Sequence, residues 1–543
     1  MGAVYNEPKE KPPVKYAIEL LFAVLCISFV ASYAYRRAFD GILSLLEYKR
    51  AWTILVFATV AAYLCKFPVA FMMAIACIAI YGANSMSRGV VGKIAVFLLL
   101  IIALPPIRLN IGGFGGINYL ISLTHVRILS LVLMLPAAVA LVGVKRAPAA
   151  NRFLPIDVLV VGYQLLRVGL QFPGSTLTTD ARMLVEAGLD VVLPYFVVTR
   201  GLRSMADLRY VAGHLFLGLA FCAAVAVGEF VSQRNLYSGL QSIYDIQWQL
   251  TYTLMRGGLL RVQAVAPQPI ILAFMMVIAL GLACWLNVSN WRRPSVAVLI
   301  SALAVALIAT FSRGQWLAAG LLVLALLAMR KMTSGAFRIV LVVAVLAGVG
   351  IKLANVDSMV IAALGAVFGS SDAELSSIQY RQQLLDTSLA LIKQSPWLGV
   401  PNYAAQMQSL RQGEGIIDLV NTYVAVLLDA GVIGLTLFLL PYVVVINRLL
   451  NALRPAAAAP GVPGDRFAAA MIAVIIACLF AIFTTSNWGT MPLLLTLLLA
   501  LPTAWLGFAV DDRNPAGTPI DIQLPIAGTQ LGAYPGSGKA QSL

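Results

Sequence analysis

Residues 467–483 read FAAAMIAVIIACLFAIF, an apolar run close to the about 20 residues that cross the roughly 30 Å hydrocarbon layer of a membrane. Phe337 to Ala354 form a similar run, and others follow along the chain. Hydrophobic residues make up 60% of the 543 positions and charged residues only 11%, which excludes an ordinary soluble domain. The sequence therefore predicts an all-α, polytopic integral membrane protein.

Hydropathy predicts about 14 transmembrane helices, within a range of roughly 12 to 15. Residues 1–510 are expected to form one membrane domain, with two long loops at about 231–266 and 355–418 that contain short amphipathic helices. Residues 511–543 are rich in Pro and Gly and are predicted to be a disordered cytoplasmic tail. The segment 51–83 is either two short helices divided at Lys66-Phe67-Pro68 or one broken element.

Basic residues cluster in alternate loops between the apolar runs, as expected for loops that face the cytoplasm. This arrangement accounts for the formal net charge of +15, so nucleic acid is not an expected partner. It also places both long loops, and the short Ser312-Arg313-Gly314 turn, together on the opposite, periplasmic side of the membrane. The cytoplasmic clusters are Lys145/Arg146/Arg152, Arg200/Arg203/Arg209, Arg292/Arg293, Arg330/Lys331/Arg338 and Arg448/Arg454/Arg466.

Several arginines lie on the outward side against this trend. A guanidinium makes bidentate, permanently charged contacts, which suit a diphosphate or an anionic sugar. The alternative is that these arginines pair with nearby carboxylates or extend to lipid phosphates. They are Arg108, Arg234, Arg256, Arg261, Arg313, Arg381 and Arg411.

Arg313 lies in a tight turn between two apolar helices, where Gly314 is expected to permit the bend. Downstream, an amphipathic helix is predicted to open at Tyr380-Arg381 and to end at Ser395–Val400, where Pro and Gly stop it. Such a helix would form a lid over the membrane face, and a plain surface helix is the alternative. Its expected apolar side comprises Ile378, Leu384, Leu385, Leu389 and Ile392.

Five short motifs follow one another in this part of the chain. Their order and spacing resemble the C-terminal region of O-antigen ligases and polysaccharide polymerases, over roughly residues 180–450. A further segment, Arg256 to Pro269, resembles the arginine element that precedes this region in the family. The motifs are Phe311-Ser312-Arg313-Gly314, Tyr380-Arg381, Ser395–Val400, Asn421-Thr422-Tyr423 and Asp429–Leu435.

The resemblance implies a metal-independent glycosyltransferase, without a cofactor, that transfers saccharide from undecaprenyl diphosphate to an acceptor hydroxyl at the periplasmic face. Arg261, Arg313 and Arg381 are expected to stabilise the leaving diphosphate. Substrate contacts are expected from Arg256, Tyr380, Tyr403, Arg411 and Asn421. Tyr403, like Trp248, Tyr252 and Trp397, is suited to stacking on a sugar, although interfacial aromatic residues look the same in sequence.

The ligases of this family have a histidine directly before the Asn, whereas this chain has Val420. Glu414 and Asp418 are the nearest candidates for a general base, and solvated loop carboxylates are the alternative interpretation. His125 lies near a periplasmic loop but matches no motif, and His214 lies within a predicted span, where a core histidine is the simpler interpretation.

The missing histidine favours a polymerase that joins lipid-linked repeat units in exopolysaccharide, capsule or O-antigen assembly. Its expected partners are the undecaprenyl diphosphate-linked oligosaccharide, the growing polysaccharide, and a chain-length regulator and export machinery. A ligase that moves finished glycan to another acceptor is the second hypothesis. A transporter or flippase is the third, although its ionisable groups would be expected near the middle of the bilayer.

Overall fold

The fold is α-helical, as the sequence predicts. The computed structural model describes residues 14–113, 119–142, 154–172, 176–244, 254–256, 258–286, 293–331, 372–401, 403–411, 417, 419, 421–453, 463–486 and 489–513. Among these residues, seven helices are long and apolar enough to cross a membrane, and four shorter apolar helices accompany them. The chain is thus a multi-pass membrane protein, and the expected span at 337–354 lies outside the described residues.

The first part of the chain consists of helices joined by short connections. A two-stranded antiparallel hairpin, β1 (Arg108–Gly112) and β2 (Tyr119–Thr124), interrupts them between α4 and α5. A π-helical turn, Gly188–Val192, joins α7 to α8. The helices are α1 (Val14–Tyr35), α2 (Leu45–Leu64), α3 (Pro68–Ser85), α4 (Gly89–Ala103), α5 (His125–Val142), α6 (Leu154–Gly169), α7 (Leu177–Ala187), α8 (Leu193–Gly201) and α9 (Met205–Ser232).

The segment 51–83 forms two separate helices. Cys65 adopts an extended conformation at the end of α2, and Pro68 begins α3. Proline favours the first turn of a helix because its missing N–H is not needed there, and it disfavours helix at the residue before it. Ser44 and Glu47 form a capping box that fixes the start of α2.

The second part of the chain contains the long loops. The first loop holds the short helix α10 (Leu240–Tyr244) and a small hairpin, β3 (Met255–Arg256) and β4 (Leu259–Leu260). The second holds α14 and α15, and α14 begins at Asp372, before the expected start at Tyr380. The remaining helices are α11 (Pro269–Trp285), α12 (Pro294–Ala309), α13 (Arg313–Lys331), α14 (Asp372–Gln394), α15 (Tyr403–Gln406), α16 (Thr422–Leu453), α17 (Pro463–Ala481) and α18 (Met491–Arg513).

Helix α9 lies at the centre of the bundle, where α1, α4, α11 and α12 surround it. Most of its side chains are buried, from Leu208 to Ala226. A helix that is apolar on all sides belongs in the interior. Outer helices instead expose large apolar side chains such as Phe22, Phe29 and Tyr81, as expected of surfaces that face lipid. Because α9 is held so firmly, its last turn is a rigid base for the loop that follows.

Candidate functional site

The turn between α12 and α13, residues 310–313, is the centre of the candidate site and is called the arginine turn below. Phe311 has a positive φ of 51°, a left-handed conformation that is uncommon for a bulky residue. Gly314 was expected to permit this bend, but it lies inside α13 instead. A Cβ at Gly314 would collide with the Thr484 side chain, so this glycine allows close packing rather than the bend.

Two arginines hold the arginine turn through its backbone. One N–H of Arg256 donates to the Phe311 carbonyl at 3.0 Å, and Nε of Arg261 donates to the Thr310 carbonyl at 2.9 Å. Arg261 also reaches the Ser312 hydroxyl at 3.3 Å. Arg313 is exposed at the start of α13. The fold therefore brings Arg256, Arg261 and Arg313, which are distant in sequence, to one turn.

Residues 261–268, called the strap below, carry Arg261 to this turn. The strap is not helical, yet Val262, Gln263, Ala264 and Val265 are each at most 4% exposed. Backbone N–H groups buried at such a place need partners, because an unpaired one is costly. The hydrogen-bond partners of the strap's N–H groups therefore identify what holds the strap in place.

Glu229, in the last turn of α9, supplies those partners. Its carboxylate is fully buried and accepts three backbone N–H bonds, from Leu236 at 3.0 Å, Gln263 at 2.9 Å and Ala264 at 2.8 Å. Sequence reasoning missed this residue. A carboxylate inside an apolar run, close to its end, was the available signal. Glu229 is a positioning residue, because it fixes the strap that carries Arg261.

A buried polar bridge links the arginine turn to the start of α16. The Gln315 amide donates to the Thr485 hydroxyl at 2.6 Å, and the Thr422 hydroxyl donates to the Thr485 carbonyl at 2.6 Å. All three side chains are fully buried. Asn421 precedes this bridge, and its side-chain oxygen accepts the N–H groups of Tyr423 at 2.9 Å and Val424 at 3.3 Å. Asn421, expected to bind substrate, thus caps α16 beside the arginine turn.

The second loop contains the amphipathic helix that the sequence predicts, and the segment formed by α14, α15 and the described residues that follow to 411 is called the lid below. Leu384 and Leu391 of α14 pack with Met407 and Leu410 of the loop and with Leu428 of α16. The expectation for Leu389 was wrong, since this side chain is 41% exposed and Leu391 is buried in its place. An α-helix turns by 3.6 residues, and the buried positions follow that spacing.

The lid residues expected at the site differ in their surroundings. The Tyr380 hydroxyl donates to the Leu410 carbonyl at 2.9 Å, so it braces the lid. Tyr403 packs against the lid core, and burial raises the pKa of its phenol. Arg411 is exposed. The backbone of Arg381 lies in α14, whereas its side chain, Glu414 and Asp418 lie outside the described residues.

A contact between two glycines docks the lid on α16, and it is called the glycine lock below. Gly431 interrupts α16 with φ 62° and ψ −162°, and Gly399 has φ 75°. The interruption lets Val432 donate to the Pro396 carbonyl at 2.9 Å, and Val400 donates to the Leu428 carbonyl at 2.6 Å. The two motifs at Ser395–Val400 and Asp429–Leu435 are therefore the two halves of one joint.

Residues 296–439 match a protein-family model described as O-Antigen ligase. This segment is similar to the O-antigen ligase family. It runs from α12 to the middle of α16 and includes the arginine turn, the described part of the lid, Asn421 and the glycine lock. The resemblance of the sequence motifs to the O-antigen ligase and polymerase superfamily is thereby confirmed. Arg256, Arg261 and Glu229 precede the matched segment, and a comparison with curated proteins gives no match.

The O-antigen ligase family match supports an enzyme that transfers glycan from a lipid-linked oligosaccharide. The described residues contain no group of three or more His, Cys, Asp or Glu side chains placed to hold a metal ion. What they contain at the arginine turn is a set of guanidinium groups on a rigid base. Such groups bind phosphate and stabilise negative charge as it develops.

Proposed function

We propose that the protein is a polysaccharide polymerase that joins undecaprenyl diphosphate-linked repeat units at the periplasmic face of the bacterial inner membrane. The observation that carries this proposal is the meeting of Arg256, Arg261 and Arg313 at the arginine turn. A guanidinium has five N–H donors in a planar fork, so an arginine anchored to a backbone carbonyl is oriented to bind phosphate oxygens as well.

In the proposed reaction, the acceptor hydroxyl oxygen bonds to the anomeric carbon of the donor sugar while the bond from that carbon to the diphosphate oxygen breaks. The diphosphate leaves with the bonding electron pair and gains negative charge. Arginines already in position stabilise that charge without reorganisation, which is a large source of rate enhancement. The hydroxyl proton passes to a base, for which Glu414 and Asp418 are the proposed candidates.

Arg381 is proposed to join the cluster from the lid. Its helix, α14, packs on α16, whose first residue Thr422 is linked through Thr485 to Gln315, two residues after the arginine turn. Closing of the lid over the donor would exclude water, which strengthens electrostatic interactions. Tyr403 and Arg411 are proposed to contact saccharide from the same side.

A ligase is the second candidate, because the matching family model is described as O-Antigen ligase. Val420 stands where the family's ligases have a histidine, and this difference favours the polymerase. The two reactions share the donor and the arginine chemistry. They differ only in the acceptor hydroxyl.

A deletion strain distinguishes these reactions by its lipid-linked saccharides. Loss of a polymerase leaves single repeat units on the carrier, loss of a ligase leaves undelivered long polymer, and loss of a transporter leaves neither. Complementation with Arg313→Ala is expected to lower polymer formation by about 100- to 1,000-fold, as for the loss of one donor to a developing anion. Arg261→Ala and Arg381→Ala should act in the same direction.

Arg203→Ala is the matched control, because this exposed arginine lies at a loop expected to face the cytoplasm. Membrane levels of every variant are compared by immunoblot. Normal chain length with both Arg313→Ala and Arg381→Ala would remove these residues from the mechanism, and long undelivered polymer in the deletion strain would replace the polymerase with a ligase.

A further inference from the structure

A cavity of about 220 Å³ lies beside the strap, at its far end from Arg261. The base of the β1–β2 hairpin, the first turn of α5 and the π-helical turn before α8 form one side of it. Val265, Ala266 and Pro267 of the strap and the start of α18 form the other side. It contains none of the three arginines of the arginine turn, so it is a separate site.

His125 gives this cavity an unsatisfied polar group. The side chain is 3% exposed and lines the cavity. The ring interacts with the Ile101 backbone, but within the described part of the chain neither ring nitrogen makes a hydrogen bond of normal geometry. Buried polar groups are nearly always hydrogen-bonded, and leaving one unpaired is costly. A neutral imidazole has one donor and one acceptor nitrogen. Hydroxyl groups, which both donate and accept, match this pair.

The arginine in the cavity wall, Arg127, is bonded to neighbouring carboxylates. Arg127 donates to Glu186 at 2.7 Å and to Asp190 at 2.9 Å, and it also bonds the Ser122 carbonyl of the hairpin. Arg108, at the start of the hairpin, interacts electrostatically with Asp190. Further cations lie close by, since Arg167 also interacts electrostatically with Asp190 and Arg182 with Glu186. The Arg127 guanidinium already bonds three protein groups, so it is not set aside for a diphosphate, and an uncharged hydroxyl can donate to the remaining acceptor positions of Asp190.

The lining combines these polar groups with apolar side chains from α4, α11 and α18, such as Ile102, Met275 and Leu493. A sugar ring has the same mixed character, with hydroxyls at its edge and C–H groups on its faces. The volume is below the about 300–1,000 Å³ of pockets for drug-sized ligands, so one ring fits better than an oligosaccharide. The π-helical turn that carries Asp190 is a feature often found at functional sites.

We infer that this cavity binds one sugar ring of the acceptor saccharide, with His125 and Asp190 contacting its hydroxyls. The inference rests on the proposed polymerase function. Arg261 and Val265 are four residues apart on the strap, so their Cα atoms are at most about 14 Å apart. A saccharide held in the cavity therefore extends to the arginine turn, where its reacting hydroxyl meets the donor. The strap positions both substrates.

Binding to the full-length protein in lipid nanodiscs tests this inference. The probes are oligosaccharide fragments from partial acid hydrolysis of the producing strain's own polysaccharide and, separately, inorganic diphosphate. His125→Phe fills the imidazole's space without polar atoms and is expected to weaken fragment binding at least about tenfold, with diphosphate binding unchanged. His125→Gln keeps a donor and an acceptor and is expected to stay within about threefold of the wild type. Arg313→Ala should show the opposite selectivity.

His214→Phe is the matched control, since this histidine is equally buried but bonds the Tyr210 carbonyl at 2.8 Å, away from the cavity. Fragment binding that is absent in the wild type, or equal in wild type and His125→Phe, overturns the inference. If His125→Phe weakens the binding of both probes, Arg108→Ala, at the exposed rim of the cavity, is the second test. Selective loss of fragment binding in this variant supports the site, and unchanged fragment binding rejects it. If fragment binding depends on His125 but inorganic diphosphate does not bind at all, the proposed arginine site is rejected and the cavity site is kept.

Discussion

The arginine turn and the glycine lock both lie in the segment that matches the O-antigen ligase family, but different forces stabilise them. Side chains from elsewhere in the chain hold the turn, through bonds from Arg256 and Arg261 to its carbonyls. Backbone groups hold the lock, where Gly399 and Gly431 remove the side chains that would separate two segments. Motifs of one family therefore have different purposes. The proposed purpose of one is to present cations to a ligand, and the other joins α14 and the loop after it to α16.

The largest effect is expected at the glycine lock, with Gly431→Ala. A Cβ at this position would lie well inside contact distance of the Trp397 carbonyl group, and the φ of 62° with ψ −162° is close to a region used almost only by glycine. We expect a loss of about 3 kcal/mol or more in the free energy of unfolding, from strain together with the clash. Polymer formation should fall with it, because the lid loses its dock.

Thermal unfolding of the purified protein, followed by intrinsic fluorescence, measures this loss. Gly320→Ala is the matched control, because Gly320 lies within α13 with open space around its Cβ position. Alanine is the better helix former, so this control should be neutral or slightly stabilising. Equal unfolding temperatures for the two variants would show that the lock contributes nothing.

A smaller effect is expected at the strap, with Glu229→Gln. The amide keeps one acceptor oxygen but places an NH2 group against a backbone N–H that the carboxylate accepted. We expect a loss of about 2 kcal/mol, as for a buried hydrogen bond to a charged group that is removed. Polymer formation should fall at least about tenfold, because Arg261 loses its fixed position.

Polymer formation is then measured at reduced temperature, where the Glu229→Gln variant is folded. This measurement separates a role in positioning Arg261 from a role in stability. Polymer formation that stays reduced there, at equal protein level, supports positioning of Arg261. Recovery to the wild-type rate would assign Glu229 to stability alone. Glu19→Gln in α1, at an exposed carboxylate, controls for the change of charge.

The sequence predicted the helices well, because each apolar run is a local property that hydropathy measures directly. From their place against the charge trend it singled out seven arginines, and the structure brings three of them, Arg256, Arg261 and Arg313, to one turn. It did not predict that Phe311 makes the bend or that Glu229 holds the strap, since both depend on contacts between segments far apart in the chain. Asn421 shows the same limit: its motif was visible, but its role as a helix cap required the fold.

The bridge at Thr485 connects the two regions, and Thr485→Val is expected to have the smallest effect. The change keeps the size of the side chain and removes the hydroxyl that accepts from Gln315 at 2.6 Å and donates to the Ala481 carbonyl at 3.0 Å. We expect a loss of about 1 kcal/mol, somewhat more if the buried Gln315 amide finds no other partner. Thr496→Val is the matched control, because among the residues that the structure describes the Thr496 hydroxyl bonds within its own helix, to the Pro492 carbonyl. If the bridge carries the position of the arginine turn to α16, Thr485→Val lowers polymer formation several-fold at equal stability while Thr496→Val does not. Equal activity of the two variants would mean that the turn and the lid act independently, each held by its own contacts.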